Sequence, residues 1–286
     1  MIKILAVLTL TAGLGLADTV NISGSDAFVN MPANATFAAN TNTGNLPYWN
    51  NKSLDGFQFN AGYFLTDTGA FSTNTVTPPS QFLANSGNNS LGATSFSFTR
   101  VAGSFQIVML YQNSTLNSGA FGTSIGVYDT GNLAETPIYT AGTVPANVGV
   151  PKTVNTSGVA SGVYGFYATT CQFPASGVNC YTFFSNSTLN PAVSNFGGGG
   201  VVDPAGTHQH FALFSLAGNA NTYYLAYEDS GGPSGFAGTT GLEQYGDYND
   251  IIFAINFVAV PEPATSALMG LGLLALGLGA RRRVRK

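Results

Sequence analysis

Charged side chains are scarce in this sequence of 286 residues, of which only 8% are Asp, Glu, Lys or Arg. Between Asp18 and Glu262 the only basic residues are Lys52, Arg100 and Lys152, against all 13 acidic residues, which gives this region a net charge of −10. An acidic surface with so few cations repels nucleic acid and anionic lipid, and it attracts divalent cations. We therefore exclude nucleic acid and phosphate-rich ligands as partners.

The sequence motifs of common hydrolases are also missing. There is no Gly-x-Ser-x-Gly and no His-Glu-x-x-His. The only histidines, His208 and His210, would face one side of a strand, but no third metal ligand lies nearby, so we interpret them as edge or surface residues. Glu228 and Asp229 are adjacent, so on a strand they would point to opposite faces and could not flank one glycosidic bond. The sequence predicts a protein that is not an enzyme.

Only two cysteines are present, Cys171 and Cys180. The residues between them include Pro174 and Gly177, which favour a turn, and aromatic runs that are typical of strands lie on both sides. This pattern predicts a hairpin that is closed by a disulfide in an oxidising compartment, with two free thiols as the alternative.

The composition favours β-structure. The sequence contains 36 Gly, 21 Phe and 13 Tyr, together with many Asn, Thr and Ser, and it has no convincing helical periodicity. Strand patterns occur at residues 57–59, 95–99, 105–111, 124–128, 163–168, 181–184, 211–216, 223–227 and 251–258. We expect an all-β ectodomain at residues 18–259, a β-sandwich or jelly-roll-like fold, built as one large domain or two small ones.

Residues 1–17 have the pattern of a signal peptide. Residues 1–3 include a lysine, residues 4–16 are mostly apolar, and Gly15-Leu16-Ala17 forms a small-x-small cleavage site. We therefore expect signal peptidase to act on the chain during export and the mature protein to begin near Asp18.

Residues 260–286 have three distinct parts. Pro261-Glu262-Pro263 is followed by an uncharged segment at 264–280 and then by a basic end, 281–286, with five cations. As a helix, the middle segment would span roughly 25 Å, just enough for a thin bilayer. The basic end would remain in the cytoplasm by the positive-inside rule. We expect a single C-terminal hydrophobic helix that crosses the inner membrane.

These three parts, in this order, resemble the PEP-CTERM tail of Gram-negative bacteria. The resemblance implies that an inner-membrane exosortase recognises Pro261, Glu262 and Pro263 and processes the chain nearby, so that residues 264–280 span the membrane only transiently. It also implies export to the cell envelope, the cell surface or the extracellular matrix. The alternative is an ordinary single-span anchor in which Pro-Glu-Pro occurs by chance.

A second motif lies at residues 208–258. A strand pattern ends in Glu228-Asp229, and Asp247-Tyr248-Asn249-Asp250 precedes the next apolar strand. This order resembles an uncharacterised bacterial domain family of secreted and PEP-CTERM proteins.

If the strand that ends at Tyr227 pairs with the strand that begins at Ile251, these acidic side chains meet at one sheet edge. Calcium takes six to eight oxygen ligands from carboxylates, amides and carbonyls. The alternative is that the side chains hydrogen-bond to nearby backbone in turns and need no metal. The candidate calcium ligands are Glu228, Asp229, Asp247, Asn249 and Asp250.

Two further features complete the sequence-based expectations. The pentapeptide Asn-Ser-Thr-Leu-Asn occurs at 113–117 and 186–190, which marks two equivalent loops or two copies of a half-domain. The only tryptophan, Trp49, is a candidate for stacking on a sugar. We expect an exported, non-enzymatic protein of the cell surface or of a polysaccharide matrix, with a secreted carbohydrate-binding module as the alternative.

Overall fold

The computed structural model contains two large antiparallel sheets and very little helix. It describes residues 17–23, 27–31, 54–55, 58–59, 61–66, 76–83, 95–101, 103–112, 124–140, 148–172, 179–191, 193–196, 200–203, 209–228, 248, 250–257 and 272–273. The all-β expectation is confirmed.

The described residues form 17 strands and the six-residue helix α1 (Ala61–Thr66). The strands are β1 (Thr19–Ile22), β2 (Phe28–Asn30), β3 (Leu54–Asp55), β4 (Gln58–Phe59), β5 (Gln81–Leu83), β6 (Phe96–Thr99), β7 (Ser104–Gln112), β8 (Ser124–Asp129), β9 (Glu135–Thr140), β10 (Pro151–Asn155), β11 (Val163–Gln172), β12 (Asn179–Phe184), β13 (Val193–Phe196), β14 (Gly200–Asp203), β15 (Phe211–Leu216), β16 (Asn219–Tyr227) and β17 (Ile251–Asn256). Every strand pattern read from the sequence coincides with one of these strands, with small shifts at the ends.

The strands are arranged mainly in two sheets. The first has the order β1-β6-β11-β8-β9, with β12 also paired to β11, and the second has the order β10-β7-β17-β16-β15-β5-β2. Two small hairpins, β3-β4 and β13-β14, lie outside both sheets. All pairings between named strands are antiparallel, so short connections can join neighbours such as β15 and β16.

A core of aromatic and branched side chains lies between the two large sheets. In β7 the buried positions alternate, with Phe105 and Ile107 facing the core, as expected for a strand with a period of two. Phe105 stacks on Tyr164 of the first sheet with ring centroids 5.7 Å apart. Tyr139 stacks on Phe253 of the second sheet at 5.5 Å. The two sheets therefore face each other as in a β-sandwich.

The second sheet is covered on its other face as well. There α1 packs Phe64 and Leu65 into a separate core with residues such as Phe214 and Tyr224 of β15 and β16. Burial on both faces explains why these strands are continuously apolar rather than alternating. The sequence analysis did not find α1, because six residues are too few to display a helical period.

The first strand is fixed at its start by Asp18. The side chain of Asp18 is 1% exposed, and its Oδ1 accepts a hydrogen bond of 2.7 Å from the backbone N–H of Val101. Its Oδ2 accepts a hydrogen bond of 2.7 Å from the hydroxyl of Tyr164. The residue at which we expect the mature protein to begin is therefore an integral part of the sandwich.

Candidate functional site

The antiparallel pairing of β16 with β17 brings the two halves of the acidic motif together. Tyr227 and Ile251 are direct register partners, as the sequence analysis required. Glu228 follows Tyr227 and Asp250 precedes Ile251, so both acids lie at the same end of this strand pair. Their side chains are buried, with 1% and 4% of their surface exposed. Burial of two carboxylates so close together needs hydrogen bonds or a cation to offset the loss of water.

Glu228 supports the chain just before β17. Its Oε2 accepts a hydrogen bond of 3.1 Å from the backbone N–H of Tyr248. Tyr248 itself is fully buried, and its hydroxyl donates to the carbonyl oxygen of Gln209 at 2.7 Å. The backbone of Tyr248 has φ of 55°, a left-handed conformation that costs a non-glycine residue about 1–3 kcal/mol. The two hydrogen bonds offset that cost.

His210 is a buried member of the same cluster. Its side chain is 1% exposed, and its ring stacks on Phe183 with centroids 3.7 Å apart. Its Nδ1 lies 3.0 Å from the carbonyl oxygen of Glu228, and a carbonyl oxygen only accepts, so Nδ1 is the donor. The interpretation of His210 as an edge or surface residue is therefore wrong, because Phe183 of the opposite sheet covers it.

Gln209 connects this cluster to the first sheet. Its Nε2 donates to the carbonyl oxygen of Ser185 at 2.9 Å, and its Oε1 accepts from the backbone N–H of Phe211 at 3.0 Å. We call Gln209, His210, Glu228, Tyr248 and Asp250 the buried polar cluster. Sequence reasoning found the two acids but missed Gln209, His210 and the role of Tyr248, and the polar run before the apolar strand β15 is the signal that could have identified them.

The cations of the described ectodomain lie elsewhere. Arg100 donates through Nη1 to the carbonyl oxygens of Thr156 and Ser157, at 2.8 and 2.9 Å. Lys152 donates to the carbonyl oxygen of Ile138 at 3.0 Å. Neither of these two side chains compensates the charge of the buried polar cluster through a contact of this kind.

The cluster is only part of the expected calcium site. Asp229, Asp247 and Asn249 lie outside the described residues, and within the described ranges no three His, Cys, Asp or Glu side chains gather as a metal site would require. One carboxylate oxygen of Glu228 is already hydrogen-bonded to backbone. That contact favours the backbone-capping interpretation for Glu228.

The structure describes the two cysteines of the predicted disulfide, but it does not describe the predicted sugar-binding residue or the sorting motif. Cys171 and Cys180 are direct register partners on β11 and β12, and the described part of the chain contains no free cysteine. Trp49 and the motif Pro261, Glu262 and Pro263 lie outside the described residues.

The expected membrane segment, 264–280, is described only at positions 272 and 273. Among the residues that the structure covers, no helix has the length and apolar character needed to cross a membrane.

Comparisons with known proteins bear on the end of the chain. Residues 259–283 match the family model of the PEP-CTERM protein-sorting motif. The chain has no significant match among curated proteins or among solved structures. The matched residues include Pro-Glu-Pro, the uncharged segment and the start of the basic end, which are the parts that the sequence analysis identified. The chain therefore carries a PEP-CTERM sorting motif over residues 259–283, and this motif implies export and processing by an exosortase in Gram-negative bacteria.

Proposed function

We propose that this chain is a non-enzymatic β-sandwich protein that an exosortase delivers to the cell surface or the extracellular matrix. The observation that carries the proposal is the sorting motif at 259–283, which follows a β-structure whose described part extends to Phe257. The environment of His210 supports a structural role. Its ring is stacked against Phe183 and its Nδ1 is hydrogen-bonded to the carbonyl oxygen of Glu228, so it is not positioned for proton transfer.

Delivery proceeds in two steps. Signal peptidase removes residues 1–17 during export, and the uncharged segment 264–280 then holds the chain in the inner membrane. The exosortase recognises Pro261, Glu262 and Pro263 just outside that membrane and processes the chain there. The membrane span is therefore a transient intermediate.

The sorting step is tested by changing the motif in an exosortase-positive host. We expect the triple variant Pro261→Ala, Glu262→Ala, Pro263→Ala to accumulate unprocessed in the inner membrane, as the unchanged chain does when the exosortase gene is deleted. Pro78→Ala is the matched control, since Pro78 is an exposed proline far from the motif in sequence. Equal surface delivery of the triple variant and the unchanged chain would overturn the proposal.

We propose further that calcium stabilises the end of the β16-β17 pair. Support comes from the placement of Glu228 and Asp250 at one end of these strands, where both are buried. The adjoining Asp229, Asp247 and Asn249 would supply further oxygen ligands of the kind that calcium prefers.

The two cysteines form a disulfide in this proposal. Cys171 and Cys180 are register partners in an antiparallel pair, where opposite Cα atoms lie about 4.5–5.5 Å apart, within the range of about 4.4–6.8 Å that a disulfide spans. An exported protein also encounters an oxidising compartment, in which such a bond persists.

A secreted carbohydrate-binding module is the second candidate function. Trp49 was the sequence-based candidate for stacking on a sugar. A specific observation favours this candidate function independently of Trp49, because a groove whose described lining residues are uncharged, several of them bearing hydroxyls or carboxamides, lies beside β1, β6 and β8. Specific binding on a glycan array that is lost in Trp49→Ala would place the site at Trp49 instead.

A further inference from the structure

A groove of about 460 Å³ lies on the first sheet, beside its edge strand β1. Its size is within the range of small-molecule pockets, about 300–1,000 Å³. None of the described residues that line it is charged. The polar lining is made of hydroxyls and carboxamides, chiefly from Asn21, Ser97, Tyr128, Thr130, Asn186 and Thr188.

One wall of the groove is a rigid turn built by the second copy of the repeated pentapeptide. Residues 187–189 form a single 3₁₀ turn, which begins at Asn186 with its Oδ1 accepting from the backbone N–H of Thr188 at 3.2 Å. Ser95 of the facing segment donates to the same Oδ1 at 3.0 Å and accepts from the backbone N–H of Ser187 at 2.9 Å. This wall is therefore held in place before any ligand arrives, which lowers the entropic cost of binding.

Tyr128 lines the groove, and its hydroxyl is buried and has no hydrogen-bond partner. Its side chain is 1% exposed, and its ring packs edge-on against Phe184 at 4.9 Å. The ring also occupies the space above Gly165, where an added Cβ would lie 2.4 Å from the ring.

Ser185 and Asn186 lie close to the Tyr128 hydroxyl, but neither forms a hydrogen bond of acceptable geometry with it. Oγ of Ser185 is already committed, because it donates to the carbonyl oxygen of Phe96 and accepts from the N–H of Phe166. Burial raises the pKa of the Tyr128 hydroxyl, so it stays protonated at neutral pH and can donate. A buried polar group without a partner costs about 1–3 kcal/mol. The hydroxyl is covered in this structure, so a ligand oxygen recovers that cost only by displacing the side chains around it.

We propose that this groove binds a segment of a neutral oligosaccharide, an inference that rests on the carbohydrate-binding candidate and gives it a site. Hydroxyls and carboxamides both donate and accept, which matches the alternating donors and acceptors of sugar hydroxyls. An acidic polysaccharide is disfavoured, because the described lining of the groove has no cation and residues 18–262 carry a large excess of acidic residues.

A peptide is the less suitable occupant. A peptide added as a strand at the edge of β1 would need pockets for its alternate side chains. The apolar lining consists of Ile22, which is half-buried, and Phe96, which is 2% exposed and belongs to the core. These two apolar residues do not supply the series of pockets that a peptide strand needs, although apolar atoms make up more of the lining than polar atoms do.

The test uses the full chain in a detergent without a sugar headgroup, with binding measured by titration calorimetry. The probes are neutral hexasaccharides of glucose, mannose and galactose, a uronic-acid hexasaccharide, and a hexapeptide of Ser, Thr and Ala. We expect at least one neutral hexasaccharide to bind and the uronic-acid and peptide probes not to bind. We expect Ser97→Trp to abolish binding, because the indole fills the groove.

Tyr128→Phe is the sharper variant, because it deletes only a hydroxyl that has no partner in the protein. It should fold normally and bind the same sugar about three- to tenfold more weakly. Tyr139→Phe is the matched control, since it deletes another buried hydroxyl without a partner, on β9, and should bind as the unchanged chain does.

Three results would overturn the proposal. In the first, no neutral hexasaccharide binds at millimolar concentration. In the second, Ser97→Trp and Tyr128→Phe both bind the sugar as tightly as the unchanged chain does, and in the third, the peptide binds more tightly than any sugar. None of these results concerns processing at Pro261 to Pro263. Failure of the sugar-binding proposal would therefore not contradict the proposed sorting function.

Discussion

The backbone N–H of Tyr248 donates a hydrogen bond of 3.1 Å to Oε2 of Glu228, which is 20 residues earlier in the sequence. Glu228 follows the last residue of β16 and Tyr248 lies just before β17, so this bond connects the ends of two paired strands. The bond also holds Tyr248 in its left-handed conformation. It gives the paired acidic motif a structural role that requires no metal.

Removal of this acceptor should destabilise the protein. Glu228→Ala leaves the buried N–H of Tyr248 without a partner, so we expect the free energy of unfolding to fall by about 1–3 kcal/mol. Glu228→Gln keeps a carbonyl acceptor for this N–H, so its free energy of unfolding should fall by less. Urea denaturation measures the difference. Glu135→Ala, at an exposed position on β9, is the control and should change stability by less than about 0.5 kcal/mol. Equal stability of Glu228→Ala and the unchanged chain would show that the bond contributes nothing.

Removal of calcium tests the metal proposal separately. Saturation at about 100 times the dissociation constant would contribute about 2.7 kcal/mol, so we expect EDTA to lower the melting temperature by roughly 5–10 °C. The double variant Asp247→Ala, Asp250→Ala should lose this response, whereas Glu135→Ala should keep it. A melting curve that is the same in EDTA and in millimolar calcium contradicts the proposal and leaves the hydrogen-bonding role of Glu228.

Buried tyrosines make the protein sensitive to high pH. Burial raises the pKa of Tyr139 and of Tyr224 from 10.0 to about 12. The unfolded chain releases these protons near pH 10 while the folded chain retains them, so stability is fully present below pH 10 and is lost as the pH rises through about 12.

The variant Tyr139→Phe isolates one of these groups. Above pH 10 its free energy of unfolding should fall less steeply with pH than that of the unchanged chain, by up to about 1.4 kcal/mol per pH unit. At neutral pH its stability should be nearly unchanged, because the Tyr139 hydroxyl, although close to the backbone of Met109, forms no hydrogen bond of acceptable geometry. Urea denaturation from pH 8 to 12 measures both. If the free energy of unfolding falls equally steeply with pH in both proteins, Tyr139 does not have a raised pKa in the folded state.

The disulfide proposal predicts sensitivity to reductants. A bond between Cys171 and Cys180 would close a loop of about 10 residues, and its loss should cost about 2–3 kcal/mol on the chain-entropy model. The melting temperature should fall in dithiothreitol for the unchanged chain but not for the double variant Cys171→Ser, Cys180→Ser. Titration of two free thiols in the denatured, unreduced protein would exclude the bond.

The fold could be predicted from the sequence where a strand has a local signal. The apolar runs of β15, β16 and β17 were clear, and the pairing of β16 with β17, which was only a condition of the calcium hypothesis, is present in the structure. The edge strands β9 and β10 were missed. They contain Pro137 and Pro151 and are largely exposed, so they lack the apolar pattern that marks a central strand.

The buried polar cluster could be predicted only in part. Glu228 and Asp250 were found because they flank strands, whereas the burial of His210 depends on Phe183 from the other sheet. The groove depends on β1, β6 and β8, whose association no local pattern reveals. The sorting tail was recognised from sequence because its parts are contiguous and each is defined by composition alone.

Intact-mass measurement of the protein recovered from an exosortase-positive host tests the central claim most directly. Our account predicts a mass that lacks residues 1–17 and residues 281–286, together with the uncharged segment 264–280. In a host without the exosortase, the same measurement should find residues 264–286 retained. Recovery of a chain that still carries Arg281 to Lys286 from the exosortase-positive host would contradict the account.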